Sequence, residues 1–375
     1  MKSERVTITD IADMCDVSTA TVSRALNDKR GVGKALRQKI VDCARRNEYV
    51  PDPTAQSLRS RRSNRAYVIL RSEINGEIPF PFPSNDALRE ATGMDTYVHV
   101  IPYEKDLIAD LQTLRDDYSP KLFVIVGPCL VSDTSRFRSL RTRLLFVLCN
   151  DAPPGYPSVR SDDLQGSMMV TSSLIEAGHT RIEVLTDSFG TRSNYSRRVE
   201  GYRQALDRHG ITFDPSLVHS IPVDFGRYFS SSEKQLTTRI VPLLNSQSYM
   251  LRNPPTAVFV LSDFLAFTLV RVLQNAGIHV PYKLSVASFG GWPVTQYIPV
   301  SIQTWVQPSN DIVTATLTAM SSLLNSEDFP QSLSLPTRRP DGSYGCAHAD
   351  GPMHYIVPGY LRTGESVSPP PPPQE

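Results

Sequence analysis

Toward the start of the chain, apolar residues recur at the three- and four-residue steps of short amphipathic helices. Thr7-Ile8-Thr9-Asp10 opens the first helix. Thr7 can cap it, Asp10 sits at the third helical position as in a capping box, and Ile8, Ile11 and Ala12 share one face. Cys15-Asp16-Val17 interrupts that helix, and Ser18 is placed to cap a second. In the second helix Val22, Ala25 and Leu26 form the apolar stripe, which leaves Thr19, Ala20, Thr21, Ser23 and Arg24 to other directions. A third helix is predicted from about Lys34 to Arg46, with Leu36, Ile40, Val41 and Ala44 inward. Two short helices joined by a tight turn and closed by a third make the helix-turn-helix plan.

In that plan the second helix enters the DNA major groove with its N-terminal residues at the base edges. Short Thr and Ala side chains let the backbone come close. A Thr hydroxyl bonds a base, its methyl or an Ala packs on a thymine methyl, and Arg24 has the length to reach guanine or phosphate. The competing reading is a capped surface helix with exposed threonines. Asp52-Pro53-Thr54-Ala55-Gln56-Ser57-Leu58-Arg59 then reads as a helix barely two turns long, too short to stand alone. Leu58 has no evident core to join, and Arg59, Arg61, Arg62 and Arg65 crowd it. A marginal helix of this kind suits folding on DNA with the leucine wedged into a minor-groove step, against the alternative of a plain basic linker.

From Arg65 onward the pattern changes. Continuous apolar runs at 66–70, 96–101, 122–126, 144–149, 181–185, 257–261 and 284–289 alternate with helical stretches such as 163–177, 196–209 and 263–276. Such runs separated by helices predict parallel strands covered on both faces. There are too many elements for one compact unit, so two α/β lobes are expected, with a ligand cleft at the carboxyl ends of their strands.

Charge sharpens this division. The 375 residues carry a net charge of only +1, yet residues 1–65 hold 14 Lys and Arg against 8 Asp and Glu, and the rest holds 25 against 30. A basic head on a mildly acidic body fits a polyanion-binding module on a globular one, or simply a solvated basic face. No apolar run approaches the roughly 18–20 residues of a membrane span, and the polar N-terminus is not that of a signal peptide. Cys15, Cys43, Cys129, Cys149 and Cys346 form no CxxC, which fits a reducing, cytoplasmic setting.

Catalytic motifs are missing: there is no GxSxG, P-loop, HExxH or dinucleotide glycine fingerprint, so no enzyme and no cofactor are expected. Cys346, His348, Asp350 and His354 are of metal-ligand type, but their spacing fits no familiar zinc site, and a flexible insertion is the preferred reading. The tail from Ser368 to Glu375 is polyproline-prone and expected to be disordered.

VTITDIADMCDVSTATVSRALND followed by YVPDPTAQSLRS resembles the DNA-binding headpiece and hinge helix of the lactose-repressor (LacI/GalR) family. The resemblance implies that Thr19, Ala20 and Arg24 read bases. It implies that Thr7, Ser18, Thr21, Ser23, Asn27 and Tyr49 cap helices or touch phosphates, and that Leu58, with Ala55 beside it, pries open the operator centre. Blocks at 159–166, 174–185, 197–211, 260–281 and 284–291 resemble the family's core, which it shares with periplasmic sugar-binding proteins. By this resemblance Asn150, Arg198, Phe225, Ser262 and Asp263 contact an effector, with Arg198 as the clamp on ligand oxygens and Phe225 as the stacking aromatic. Without the resemblance, a surface ion pair and a core aromatic describe the last two as well.

The implied organisation is an all-α helix-turn-helix headpiece (1–51), a hinge helix and linker (52–65) and a two-lobed α/β, periplasmic-binding-protein-like core (66–366). Lobe 1 spans about 66–161 plus 306–329, and lobe 2 about 162–305 plus 330–366. An insertion occupies 331–354, and 367–375 form a disordered tail. The implied function is transcriptional regulation, as a repressor, by a homodimer or tetramer on a near-palindromic DNA operator. Its effector is a sugar, sugar phosphate or sugar acid. A regulator without ligand sensing and a sugar-binding protein without a DNA role stand as alternatives.

Departures from the family are specific. Asp16 stands where the turn usually has Gly, and the third helix begins Val32-Gly33 without a capping hydroxyl. Gly290 and Gly291 replace acidic residues, the first of which commonly grips sugar hydroxyls, so an anionic ligand is expected, or none. Prolines at 79, 81 and 83 fall where the family has a helix facing the cleft.

Overall fold

The computed structural model describes residues 8–26, 32–47, 65–72, 85–103, 105–129, 131–149, 152–187, 194–221, 228–241, 254–349 and 353–371. The chain divides into two compact units, Met1–Ser63 and Asn64–Glu375.

In the first unit α1 (Ile8–Cys15), α2 (Thr19–Leu26) and α3 (Lys34–Arg46) close around Ile11, Ala12, Cys15, Val22, Ala25, Ile40 and Cys43. The apolar stripes therefore meet as their spacing requires. The turn between α1 and α2 is a Schellman stop. The Val17 N–H donates to the Ala12 carbonyl at 3.0 Å and the Asp16 N–H to that of Asp13 at 3.2 Å. This geometry places Asp16 in the left-handed region at φ 55°. A residue with a Cβ pays for that conformation and glycine does not. Asp16→Gly is therefore expected to stabilise the headpiece by up to about 1 kcal/mol. The check is slower amide exchange at Val17 and through α2 in the full-length chain, and faster exchange there would show that the aspartate is not strained.

The second unit holds two sheets. Among the described residues the first has eight strands in the order β11-β12-β13-β5-β4-β3-β1-β2, and the second has six in the order β14-β10-β9-β8-β6-β7. In the first sheet β1 (Arg65–Ser72), β2 (Asp95–Pro102), β3 (Leu122–Val126), β4 (Arg143–Val147), β5 (Ser158–Ser161) and β13 (His354–Val357) run parallel. The hairpin of β11 (Ser332–Arg338) and β12 (Tyr344–Ala349) extends it antiparallel. In the second sheet β6 (Ile182–Asp187), β7 (Val218–Ile221), β8 (Ala257–Val260), β9 (Ser285–Gly290) and β10 (Gln303–Val306) are parallel, and β14 (Tyr360–Arg362) pairs antiparallel with β10.

Strands buried on both faces explain the continuous apolar runs. Ala66, Val68 and Leu70 of β1 pack toward α10 (Ser309–Asn325) and α4 (Asn85–Thr92), while Tyr67 and Ile69 face the side of α5 (Leu107–Tyr118). In the second sheet Val258, Val260 and Val286 meet Leu265, Leu269 and Leu273 of α9 (Asp263–Asn275). On its other face Val184, Phe259 and Phe289 meet Val170 and Leu174 of α6 (Asp163–Glu176), and Tyr202 and Leu206 of α7 (Asn194–Arg208). Between these lies α8 (Tyr228–Gln235), continued by a π turn at Leu236–Ile240.

The chain crosses from one sheet to the other after Ser161, returns after Val306, and crosses again after Val357. Two expectations are corrected here. The described residues of 330–357 do not join the second lobe, nor are they an irregular insertion: β11, β12 and β13 extend the first sheet, and β14 belongs to the second. The small and polar residues of these strands, such as Ser332, Ser334 and Gly345, suit an edge, where apolar runs are not needed.

The tail is likewise ordered as far as the described residues reach, to 371. Ser366 is buried, and its hydroxyl donates to the Val286 carbonyl. The Ser368 N–H donates to Ser285 Oγ at 3.1 Å, and the Ser368 carbonyl lies 2.9 Å from His179 Nε2. Burial holds the His179 imidazole below its ordinary pKa, which favours the neutral ring that bridges Thr256 and the tail.

Candidate functional site

In the first unit the N-terminus of α2 is the feature built for contact. Ser18 precedes it as cap: its Oγ accepts the Thr21 N–H at 3.2 Å and shares a hydrogen bond with Thr21 Oγ1 at 2.9 Å. Ser18 is exposed and Thr19 and Thr21 are half-buried. Since Val22 and Ala25 face the core, positions 20 and 24 fall on the opposite side of the helix by register. The side chains of Ala20, Ser23 and Arg24, and all of Thr7, Asn27, Tyr49, Ala55 and Leu58, lie outside the described residues. α3 starts at Gly33 with no side-chain cap, the consequence of the missing hydroxyl.

In the second unit three of the expected effector residues, Arg198, Ser262 and Asp263, lie at or reach the segment that follows β8. Asn150 and Phe225 lie outside the described residues. Ser262 begins α9 half-exposed, its hydroxyl making no cap bond. Arg198 reaches in from α7 and is only 6% exposed. Its Nη1 donates to the Leu261 carbonyl at 2.6 Å, its Nη2 faces Asp163 Oδ1 at 3.5 Å, and its guanidinium lies 3.9 Å from the Phe289 ring centroid. Asp163 Oδ1 also accepts from Ser161 Oγ at 2.5 Å, and Ser161 Oγ accepts from Gln307 Nε2 at 2.6 Å.

Asp263, also expected to contact an effector, has both carboxylate oxygens bonded within the protein. It is 2% exposed. Oδ1 accepts from Ser288 Oγ at 2.5 Å and Thr304 Oγ1 at 2.8 Å, and Oδ2 accepts the Trp292 N–H at 2.6 Å. Burial pushes this carboxyl group above its ordinary pKa, and the three donors and the nearby Arg362 charge pull the other way. Arg362 of β14 holds the same loop from its carbonyl side, donating to Gly291 and Trp292 at 3.4 Å and to Thr295 Oγ1 at 2.6 Å.

The glycine pair follows from this arrangement. At Gly290, φ is 143° and a Cβ would lie 2.9 Å from Asp263 Oδ2; at Gly291, φ is 84° and a Cβ would lie 2.6 Å from the Val306 Cα. Trp305 fills the neighbouring corner, where a Cβ on Gly166 or Gly359 would come within 2.6 Å or 2.5 Å of its Nε1. Asp163, Ser161, Gln307 and Phe289 surround Arg198 and were not singled out by sequence reasoning. The one signal was the doubled acid at Asp162-Asp163 after a strand, of which only Asp162 is needed to cap α6 through the Gln165 N–H.

Among the described residues no group of three or more His, Cys, Asp or Glu is placed to hold a metal, and no helix is long and apolar enough to cross a membrane.

Comparison with known proteins agrees with these two units. The profile of bacterial regulatory proteins of the lacI family matches residues 7–52, and that of the periplasmic binding protein-like domain matches residues 171–340. The chain is 29% identical over 313 residues to the probable HTH-type transcriptional repressor ExuR of Bacillus subtilis, covering 82% of this chain and 88% of that protein. It is 29% identical over 318 residues to the HTH-type transcriptional repressor CytR of Escherichia coli, covering 82% and 86%. In fold it resembles the lac repressor dimer bound to operator and the anti-inducer ONPF, with a TM-score of 0.69 at 18% identity over 97% of this chain and 100% of that one. A complex of the transcriptional regulator CelR with cellobiose aligns with a TM-score of 0.56 at 18% identity, over 96% and 100%.

Proposed function

We infer that this chain, which belongs to the LacI family of bacterial regulatory proteins, is a transcriptional repressor that binds a near-palindromic operator as a homodimer under the control of a small-molecule effector. The observation that carries the reading is the helix-turn-helix of α1 and α2, with its Schellman turn and Ser18 cap, in one chain with a two-sheet, three-crossover core. A sugar-binding protein has no use for the first unit, and an enzyme would need a catalytic constellation that these residues do not supply.

Each part has a role. The N-terminus of α2 brings Thr19, Ala20 and Arg24 to base edges, with Ser18 and Thr21 at the flanking phosphates. Thr7, Ser23, Asn27 and Tyr49 add phosphate contacts. The hinge helix that carries Ala55 and Leu58 folds in the minor groove, those two residues leading. Among the described residues β2 lies at the edge of its sheet and exposes Tyr97 and Val98, and an apolar edge of this kind favours association with a second copy. Arg198, Phe225, Asn150 and Ser262 contact the effector, and the angle between lobes sets the spacing of paired hinge segments. Effector and operator then change each other's affinity by the same factor. The reading places the protein in the cytoplasm, on the nucleoid.

Leu58 gives a direct test. Energy transfer between dyes at the two ends of an operator duplex reports its bend. Full-length protein is expected to bend the duplex by tens of degrees, and Leu58→Ala is expected to lose at least about half of that bend while the headpieces still bind. A bend untouched by the substitution removes the wedge from the mechanism.

A further inference from the structure

Arg198 is already occupied. Asp163 faces its Nη2, Ser161 donates to Asp163, and Gln307 donates to Ser161 and stands 3.4 Å from Asp163 Oδ1. Ser161 is the last residue before the chain first crosses between sheets, and Gln307 is the first residue on its return. A continuous run of bonds therefore joins the arginine read as the effector clamp to two of the segments about which the lobes must turn.

We propose that Asp163 stands in for the acidic group of the effector: a small molecule bearing a carboxylate or phosphate competes with Asp163 for Arg198 and, on taking it, unclasps Ser161 and Gln307 at the crossovers. This rests on the reading of Arg198 as an effector contact.

Electrostatics selects the ligand class. Arg198 and Asp163 are 6% and 2% exposed, and their pairing offsets part of the cost of burying each charge. Exchanging one oxyanion for another keeps an anion beside the arginine, whereas a neutral sugar in place of Asp163 brings none. The Phe289 ring centroid lies 3.9 Å from the guanidinium carbon, and an arginine fork can bond a carboxylate or phosphate through two N–H groups. Gly290 leaves no carboxylate at its position to repel such a ligand, and the Asp263 oxygens are held by Ser288, Thr304 and the Trp292 N–H.

Asp163 acts through Arg198, so it is a positioning residue, and its replacement separates this role from simple support. In the full-length protein Asp163→Asn removes the competing charge and keeps the shape. Calorimetry uses D-glucuronate and glucose 6-phosphate as acidic probes and D-glucose as the neutral control, and the glucuronate and phosphate arms tell carboxylate from phosphate. The parent is expected to bind at least one acid about tenfold or more tightly than D-glucose. Asp163→Asn is expected to bind that acid about tenfold more tightly again, because the competing carboxylate beside Arg198 is gone. Amide exchange in segments 161–166 and 304–309 is expected to quicken in the unliganded variant as it does in the parent on adding the acid.

A residue needed only for support would weaken binding instead. Weaker or unchanged acid binding, equal binding of D-glucose, binding of neither acid, or unchanged exchange at the crossovers overturns the proposal. Should Asp163→Asn fail to fold, Gln307→Ala loosens the clasp and leaves both charges of the buried pair in place. It must also quicken crossover exchange and tighten the acid, and no change in either overturns the proposal. Operator binding by the parent, scored separately, tells failure of this latch from failure of the repressor reading.

Discussion

Replacing Arg24 with alanine is expected to weaken binding to the cognate operator about tenfold to a hundredfold, and binding to unrelated DNA far less, since a good base contact is worth about 1–3 kcal/mol. Position 24 lies on α2 opposite the buried Val22 and Ala25, so the fold turns this side of the helix away from its own core. The first turn of α2 carries Thr19 and Thr21, short side chains that let the helix settle close to the base edges. Arginine is the residue there with a donor fork matched to guanine. Fluorescence anisotropy with both duplexes at one fixed salt concentration measures the effect. Equal losses on the two would make Arg24 a phosphate contact only.

Restoring the family's acid is expected to fail. Gly290→Asp should lower the stability of the second lobe by at least about 3 kcal/mol and confer no binding of neutral sugars. The backbone there has φ 143°, a region that residues with a Cβ rarely adopt. The new Cβ would meet Asp263 Oδ2 at 2.9 Å, and a second carboxylate would share a buried space with the first. Nothing nearby yields easily, because Asp263 is fixed by Ser288, Thr304 and the Trp292 N–H. Denaturant midpoints for variant and parent provide the check, with calorimetry against D-glucose beside them. A variant as stable as the parent would mean that the carboxylate at Asp263 is free to move aside.

The same pair of residues shows where sequence reading runs out. An aspartate after a core strand has the right chemistry for gripping hydroxyls, and nothing in its identity says which way it points. The absence of a side chain at position 290 was the available sign that Asp263 had filled that space. Asp163 was hidden differently, since two adjacent acids at a helix start read as caps and only Asp162 serves as one.

Strands with long apolar runs, such as β3 and β8, were legible because burial on both faces demands such runs. β5, β7 and β10 were not. They have four residues each, and Ser158, Ser161, Ser220 and Thr304 break the apolar pattern. The β11–β12 hairpin escaped for a related reason, since Gly, Pro and Ser mark loops and also suit an edge strand. The headpiece was the most legible part. Its helices are short, and their apolar stripes, the stop at Asp16 and the cap at Ser18 fall within a few residues of one another.

The most direct measurement is selection from a randomised duplex pool by the purified full-length protein, at moderate salt and at concentrations where it is paired. Two α2 helices related by a two-fold axis should enrich one sequence with that symmetry in its two halves. Acidic sugar probes should then change the affinity for that sequence. A pool that emerges without any preferred sequence, with or without those probes, would contradict a paired helix-turn-helix repressor.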